Sequence, residues 1–270
     1  MRRLAFWCVV LTATHGVACA QAPLETTLTY ETYAAGLHIA ETDVGLAITD
    51  DSYRLALAYH TTGVTSLFWS GYQSDTVSGT WVGVKPRPAE FLGVGRWRGE
   101  KRIARIDFSG AVPVALELRP ANEDEREPVP DALRKGTIDG LSAMAQLVRT
   151  VARTGRCDGT TRTFDGRRAV EVQAVTVGQE TVEPSSRSLF SGPALRCDFV
   201  GRLIAGFKVD EDREKASKPL RGSAWLASLR EGEAPLPVRL TFQTRWMGDM
   251  TMYLTNIGNG ATIDLARHQR

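Results

Sequence analysis

His38 and His60, with Asp43, Asp50, Asp51, Asp75 and many serines, supply the residue types of a hydrolytic triad. A histidine held between a serine hydroxyl and a carboxylate acts as a general base, but geometry defines such a triad, not spacing along the chain. No HExxH, GxSxG or phosphate-loop signature accompanies these residues, and no GxGxxG opens a helix. The glycine-rich "GVGRWRG" at 93–99 lies between strand-like runs and reads as a turn or bulge. Asp50-Asp51 reads as part of a turn, and Asp158 and Asp165 read as loop residues. A hydrolase built on His38 or His60 stands as an alternative, and the chain is expected not to be an enzyme.

Three further sets of residues have chemical potential. Cys157 and Cys197 are the only cysteines beyond residue 20, and an even pair in an exported chain reads as one disulfide. No histidine lies near either in sequence, so no metal site is expected, and no cofactor. Arg96, Trp97, Arg98, Lys101 and Arg102 form a basic cluster around one ring. Charge protecting a strand edge explains this cluster; a lipid headgroup or another anionic envelope molecule is the alternative reading. The third set is aromatic: Phe68, Trp69, Trp81, Phe91, Trp225 and Trp246. On a rolled sheet such rings either fill the interior or leave a cavity for an apolar ligand. Leu67, Phe68, Trp69, Trp81 and Phe91 are the candidate ligand-binding residues. Phe68 and Trp69 are the preferred rim because they follow a Gly63 bend.

The elements that would position these groups are mostly strands. In "SYRLALAYH" Tyr53, Leu55, Leu57 and Tyr59 alternate with Arg54, Ala56, Ala58 and His60, the period of a strand with one large apolar face. Similar runs, punctuated by Gly, Pro and "TDDS", continue to about residue 120 as a meander of hairpins. The charged, Pro-containing "ANEDEREPVPDALRKG" is a long solvated loop. Ile138, Leu141, Met144, Ala145, Val148 and Val151 then recur at helical spacing, with Thr137 or Asp139 as cap and Gly155 as stop. One apolar stripe on one helix predicts packing against a sheet. Strand patterns resume after Cys157. The expectation is a mainly β, α+β fold: a highly curved antiparallel sheet or incomplete β-barrel with one main helix packed on it. Residues 21–270 form a single β-rich domain, with meanders at 25–120 and 157–258, a loop at 121–136 and a helix at 137–154.

The first twenty residues read as a secretory signal: Arg2 and Arg3, an apolar run from Leu4 to Leu11, then Ala18-Cys19-Ala20 with cleavage between Ala20 and Gln21. Lipid attachment at Cys19 is an alternative, although Gly16 stands where such sites carry leucine. No later stretch has the ~18 apolar residues of a membrane helix. Cleavage leaves 31 basic and 31 acidic residues. That balance gives no support to nucleic acid or anionic membrane as a general electrostatic partner.

Several segments together resemble the exported bacterial family known as domain of unknown function 3108 (DUF3108). They are "YETYAAGLHIAE", "YRLALAYHTTGVTSLF", "SGTW" followed by "KPRPAEF", "IDGLSAMAQL", "GRCDGTTRTFDGRRAVEV", "GPALRCDFVGRLIAGF" and "PVRLTFQTRWMGDMTMYL". Phe91 stands where such proteins often carry Tyr. The resemblance implies a Gram-negative periplasmic protein with a curved sheet similar to the incomplete barrels that carry lipoproteins, and it implies no catalytic residues. The expected function is non-enzymatic binding or carriage of an apolar cell-envelope ligand, such as a lipid or a lipoprotein acyl chain. The alternative is an assembly factor that binds an envelope protein partner through a sheet edge.

Overall fold

The computed structural model describes residues 24–63, 66, 70–121, 125–245 and 247–264. The signal segment, with Cys19, Ala20 and Gln21, lies outside the described residues, as do Leu67, Phe68, Trp69 and Trp246.

The alternation in the sequence produces strands directly. In β1 (Leu24–Ala34) every second residue from Leu24 to Ala34 is buried, including Thr26 and Thr32. β2 (Leu37–Ile48), β3 (Ser52–Thr61), β4 (Gly71–Val82), β5 (Lys85–Trp97), β6 (Glu100–Asp107) and β7 (Val114–Arg119) complete the first meander. A short α1 (Asp131–Arg134) and the main helix α2 (Gly140–Thr154) follow. The second meander is β8 (Gly159–Phe164), β9 (Ala169–Val182), β10 (Gly192–Ala205), β11 (Leu220–Ala227), β12 (Leu236–Thr244) and β13 (Gly248–Asn259), with a short α3 (Arg213–Ala216) before β11.

All thirteen strands form one antiparallel sheet, in the order β7-β6-β5-β4-β3-β2-β1-β13-β12-β11-β10-β9-β8. The two meanders join where β1 pairs with β13, Thr32 opposite Met252. The middle of the chain therefore forms the two margins of the sheet, β7 and β8, and α2 lies between them in sequence. The margins do not pair with each other, yet they come together. Gly166, in the β8–β9 turn, packs so closely that a Cβ there would lie 2.7 Å from Leu118 of β7. Arg167 donates to the Pro120 carbonyl and pairs with Glu125. The result is a curved, incompletely closed barrel.

The core lies on the concave face, with Leu28, Leu46, Leu55, Leu236, Val238 and Leu254 nearly or wholly buried. Helix α2 covers part of it, packing Leu141, Ala145 and Val148 onto the sheet. The helix starts at Gly140, three residues inside the expected 137–154, because Asp139 and not Thr137 is the cap that is used. Asp139, in extended conformation, is the cap and accepts from the Ser142 amide. Ile138 is drawn instead into a parallel bridge with Thr163 on the β8 margin. The other end of α2 is fixed by Arg149, which donates to the carbonyls of Thr49, Asp50 and Gly83. The helix thus sits at the end of the barrel where the β2–β3 and β4–β5 turns lie.

Candidate ligand-binding site

The strand that carries the longest apolar alternation also shows where the core stops. Tyr53 and Leu55 of β3 are buried at the α2 end. Leu57, Tyr59 and Thr61 continue on the same face but line an open pocket of about 490 Å³. Its other walls come from strands distant in sequence. Thr32 belongs to β1, Ile39 and Thr42 to β2, Phe242 to β12, and Met250 and Met252 to β13. Met247, just before β13, adds a third methionine, and Trp97 closes one side. Methionine is unbranched and polarisable, so a surface of methionines adapts to irregular apolar shapes.

The pocket carries one carboxylate. Asp75 of β4 faces it, and its Oδ1 accepts from the Gln73 amide at 2.6 Å. Room for this pair comes from the opposing strand. A Cβ on Gly93 of β5 would lie 2.7 Å from Asp75 Oδ1, and one on Gly95 would overlap the Gln73 side chain. Two residues of "GVGRWRG" are therefore glycine because polar side chains from β4 occupy the space above them. Burial pushes the Asp75 carboxyl up to about 6, against the opposing effect of the Gln73 hydrogen bond; Asp139 and Asp165 add smaller upward contributions. Burial also raises the Tyr59 hydroxyl.

Tyr59 and Trp97 form a shared wall between this pocket and a larger polar basin of about 830 Å³. The basin lies where the sheet margins approach. Arg102 of β6, Arg126, Arg167, Arg168 and Lys208 line it, with Glu125 and Asp165 among its carboxylates. The basic cluster seen in the sequence is the β5–β6 hairpin, and it contributes Arg96, Trp97 and Arg102 to the basin.

The other candidate residues fall elsewhere. Phe91 is buried in the main core, and Trp81 packs against that core rather than lining the apolar pocket. Trp81 lies between Tyr53, at 4.6 Å between ring centres, and the Arg149 guanidinium, 4.6 Å from its ring. Helix α2 explains both positions, because it covers the end of the sheet where these rings lie. Leu67, Phe68 and Trp69 are outside the described residues; the connection that holds them leaves β3 at Thr61, which lines the pocket. His38 stacks on Tyr33, with its Nε2 3.1 Å from the Ala40 carbonyl. His60 stands opposite Glu41 and Tyr72 in the strand register. A buried set of Ser142, Asp139 and Tyr53 is bonded in series at the start of α2, but all three are at most 2% exposed, and the set serves to cap the helix. Among the described residues no group of three His, Cys, Asp or Glu side chains is placed to hold a metal ion. Cys157 and Cys197 form a disulfide, Cα atoms 6.1 Å apart, that ties the end of α2 to β10. Among the described residues no helix is long and apolar enough to cross a membrane.

Among the pocket residues that the sequence did not single out are the methionines and Phe242. Their signal was present: Met250 and Met252 alternate in "MTMYL". What was missing was the pairing of β13 with β1, more than two hundred residues apart in the chain, which places them beside Thr32.

Solved structures give a fold counterpart. The crystal structure of a beta-barrel-like protein of domain of unknown function DUF1849 from Brucella abortus superposes with a TM-score of 0.53 at 13% identity, covering 88% of this chain and 98% of that one. At that identity the likeness concerns the fold alone. No curated protein matches the chain by sequence. The family profile described as "Protein of unknown function (DUF3108)" matches residues 29–255, nearly the whole span of the sheet, and the chain belongs to that family.

Proposed function

We propose that this protein is a non-enzymatic binding or carrier protein of the bacterial periplasm that takes an apolar chain, from a lipid or from an acylated lipoprotein, into the concave pocket. One observation carries the reading: the sheet face continues past α2 as an open, methionine-lined pocket of about 490 Å³. That volume is within the range of roughly 300–1,000 Å³ typical of small-molecule sites. The Cys157–Cys197 disulfide supports an oxidising compartment.

The test is native mass spectrometry of protein purified gently from its own periplasm, followed by lipid extraction of the same sample. A near-stoichiometric acyl species is expected, and Met252→Trp, which fills the pocket, is expected to remove most of it while leaving the folded protein intact by circular dichroism. Protein that is empty as isolated, and that takes up no acyl probe afterwards, overturns the reading.

A second reading rests on β7. Among the described residues this margin strand pairs on one side only, and it exposes Val114 and Leu116. An envelope protein partner adding a strand there would make the chain an assembly factor. Crosslinking from Leu116 in the periplasm checks this alternative, and an empty pocket together with one specific crosslinked partner would favour it.

A further inference from the structure

The apolar pocket and the cationic basin are not independent cavities. Tyr59 and Trp97 belong to the walls of both. The two open spaces therefore adjoin, and one end of a chain in the first lies near the second. We propose that the ligand is an amphiphile with an anionic head, phosphate or carboxylate, whose chain lies against Met250 and Met252 and whose head is held by Arg102, Arg126 and Arg167. This rests on the pocket reading above and goes further by naming the chemistry of the head.

Two observations carry it. The first is charge. Among the described residues six cationic side chains line the basin against four carboxylates. Glu125 serves two of the cations at once, 2.9 Å from Arg102 and 3.4 Å from Arg167. The second is Arg126. Its Nη1 donates to the Gly206 carbonyl at 2.8 Å, and among the described residues it has no ion pair. Burial, with a contribution from Arg168, lowers its proton affinity against the opposing pull of Asp165, Glu211 and Glu125; burial, with a contribution from Arg102, does the same for Arg167 against Glu125 and Asp165. Half-buried guanidinium groups whose carboxylate neighbours do not offset that burial are stabilised further by a bound anion. Arginine presents a planar fork of N–H groups that matches carboxylate and phosphate oxygens.

The arrangement also fits the direction of the groove. The concave face changes from methionine and threonine on β13, β1 and β2, through Leu57 and Tyr59 on β3, to Asp75 on β4 and Arg102 on β6. That order follows the sheet, so an extended chain lying across the strands would meet apolar wall first and arginine last.

The experiment compares matched twelve-carbon probes below their micelle concentrations, by isothermal titration calorimetry on the mature protein stripped of lipid. The probes are dodecyl phosphate, dodecanoate, dodecanol and dodecyltrimethylammonium, with inorganic phosphate as the chainless control. The anionic probes are expected to bind at least tenfold more tightly than dodecanol, and the ammonium probe more weakly than dodecanol. Arg126→Gln is expected to erase most of that preference, weakening the anionic probes far more than dodecanol. Lys208→Gln, at an exposed position on the basin rim, is a second variant with no buried contact to lose, and a two- to fivefold smaller preference is expected from it. Equal binding of dodecanol and the anions would overturn the anionic head but leave the apolar pocket standing. Binding of inorganic phosphate as tightly as dodecyl phosphate would make the basin a free-anion site and overturn the amphiphile. Binding of none of the five probes would overturn the pocket reading and this inference with it.

Discussion

At the scale of single residues, two buried polar side chains divide the interior. Arg149 is a structural cation: on a helix, stacked on Trp81, it satisfies three turn carbonyls that would otherwise face the apolar interior. Asp75 does the opposite: its carboxyl faces a pocket and, among the described residues, accepts one hydrogen bond, from the Gln73 amide. Its proton is held to about pH 6 against an ordinary value of 3.8. The folded state therefore binds this proton more tightly than the unfolded chain. The stability it contributes is present at low pH and is lost as pH rises through about 6. Asp75→Asn keeps a neutral group at every pH. We expect the variant to match the wild type near pH 4 and to exceed it by about 1–2 kcal/mol at pH 7.5, allowing for partial solvent access to the carboxyl. Urea unfolding at the two pH values measures this, and a constant difference between the two proteins would show that the Asp75 proton is not linked to folding.

At the scale of elements, α2 decides which part of the concave face becomes core. It lies over the α2-end halves of β3, β4 and β5 and leaves the other halves open. Its hold on the second meander is covalent as well as apolar. The disulfide joins the residue just past its end to β10, closing a separation of 40 residues, and Val151, Leu195 and Leu226 pack around it. Chain entropy assigns such a loop about 4 kcal/mol. Replacing both cysteines by alanine is expected to lower the free energy of unfolding by a few kcal/mol, read from urea midpoints without reductant. A loss below about 1 kcal/mol would mean that packing alone fixes the helix to β10.

At the scale of the whole molecule, a chain whose first and last described strands pair, and whose mid-chain strands form the margins, has to curl for α2 to reach both halves. The margins then approach through contacts such as Gly166 against Leu118 and Arg167 against the Pro120 carbonyl. Gly166 has φ of 89°, a region that favours glycine, and its neighbour leaves no space for a side chain. Gly166→Val is expected to cost about 2–3 kcal/mol and to part the margins. Hydrogen exchange should quicken in β7 and β8 while β1 and β13 keep their protection. Uniform loss of protection across the sheet would instead indicate that the margins and the centre open together. Because the basin is built from the same margins, this variant should also weaken anionic probes more than dodecanol.

The sequence by itself determined the local structure. Alternation in β1 and β3, helical spacing from Leu141 to Val151, the choice of Thr137 or Asp139 as cap and the two cysteines are all properties of near neighbours or of residue counts, and strands and helices follow from near-neighbour periodicity. It also carried the family, through segments spread along the whole sheet. Only the tertiary structure decided which apolar surface is filled and which is open. Phe91 and Trp81 are as apolar as Met250 and Met252, and their types alone do not separate them. The difference lies in what covers each: α2 and the α2-end core lie over the rings, while β13, brought beside β1 across the chain, carries the methionines to the uncovered end. Register between distant strands is set by the burial of the whole face at once. For that reason the pocket, and the arginines gathered where the margins meet, were written in the sequence only as scattered residues.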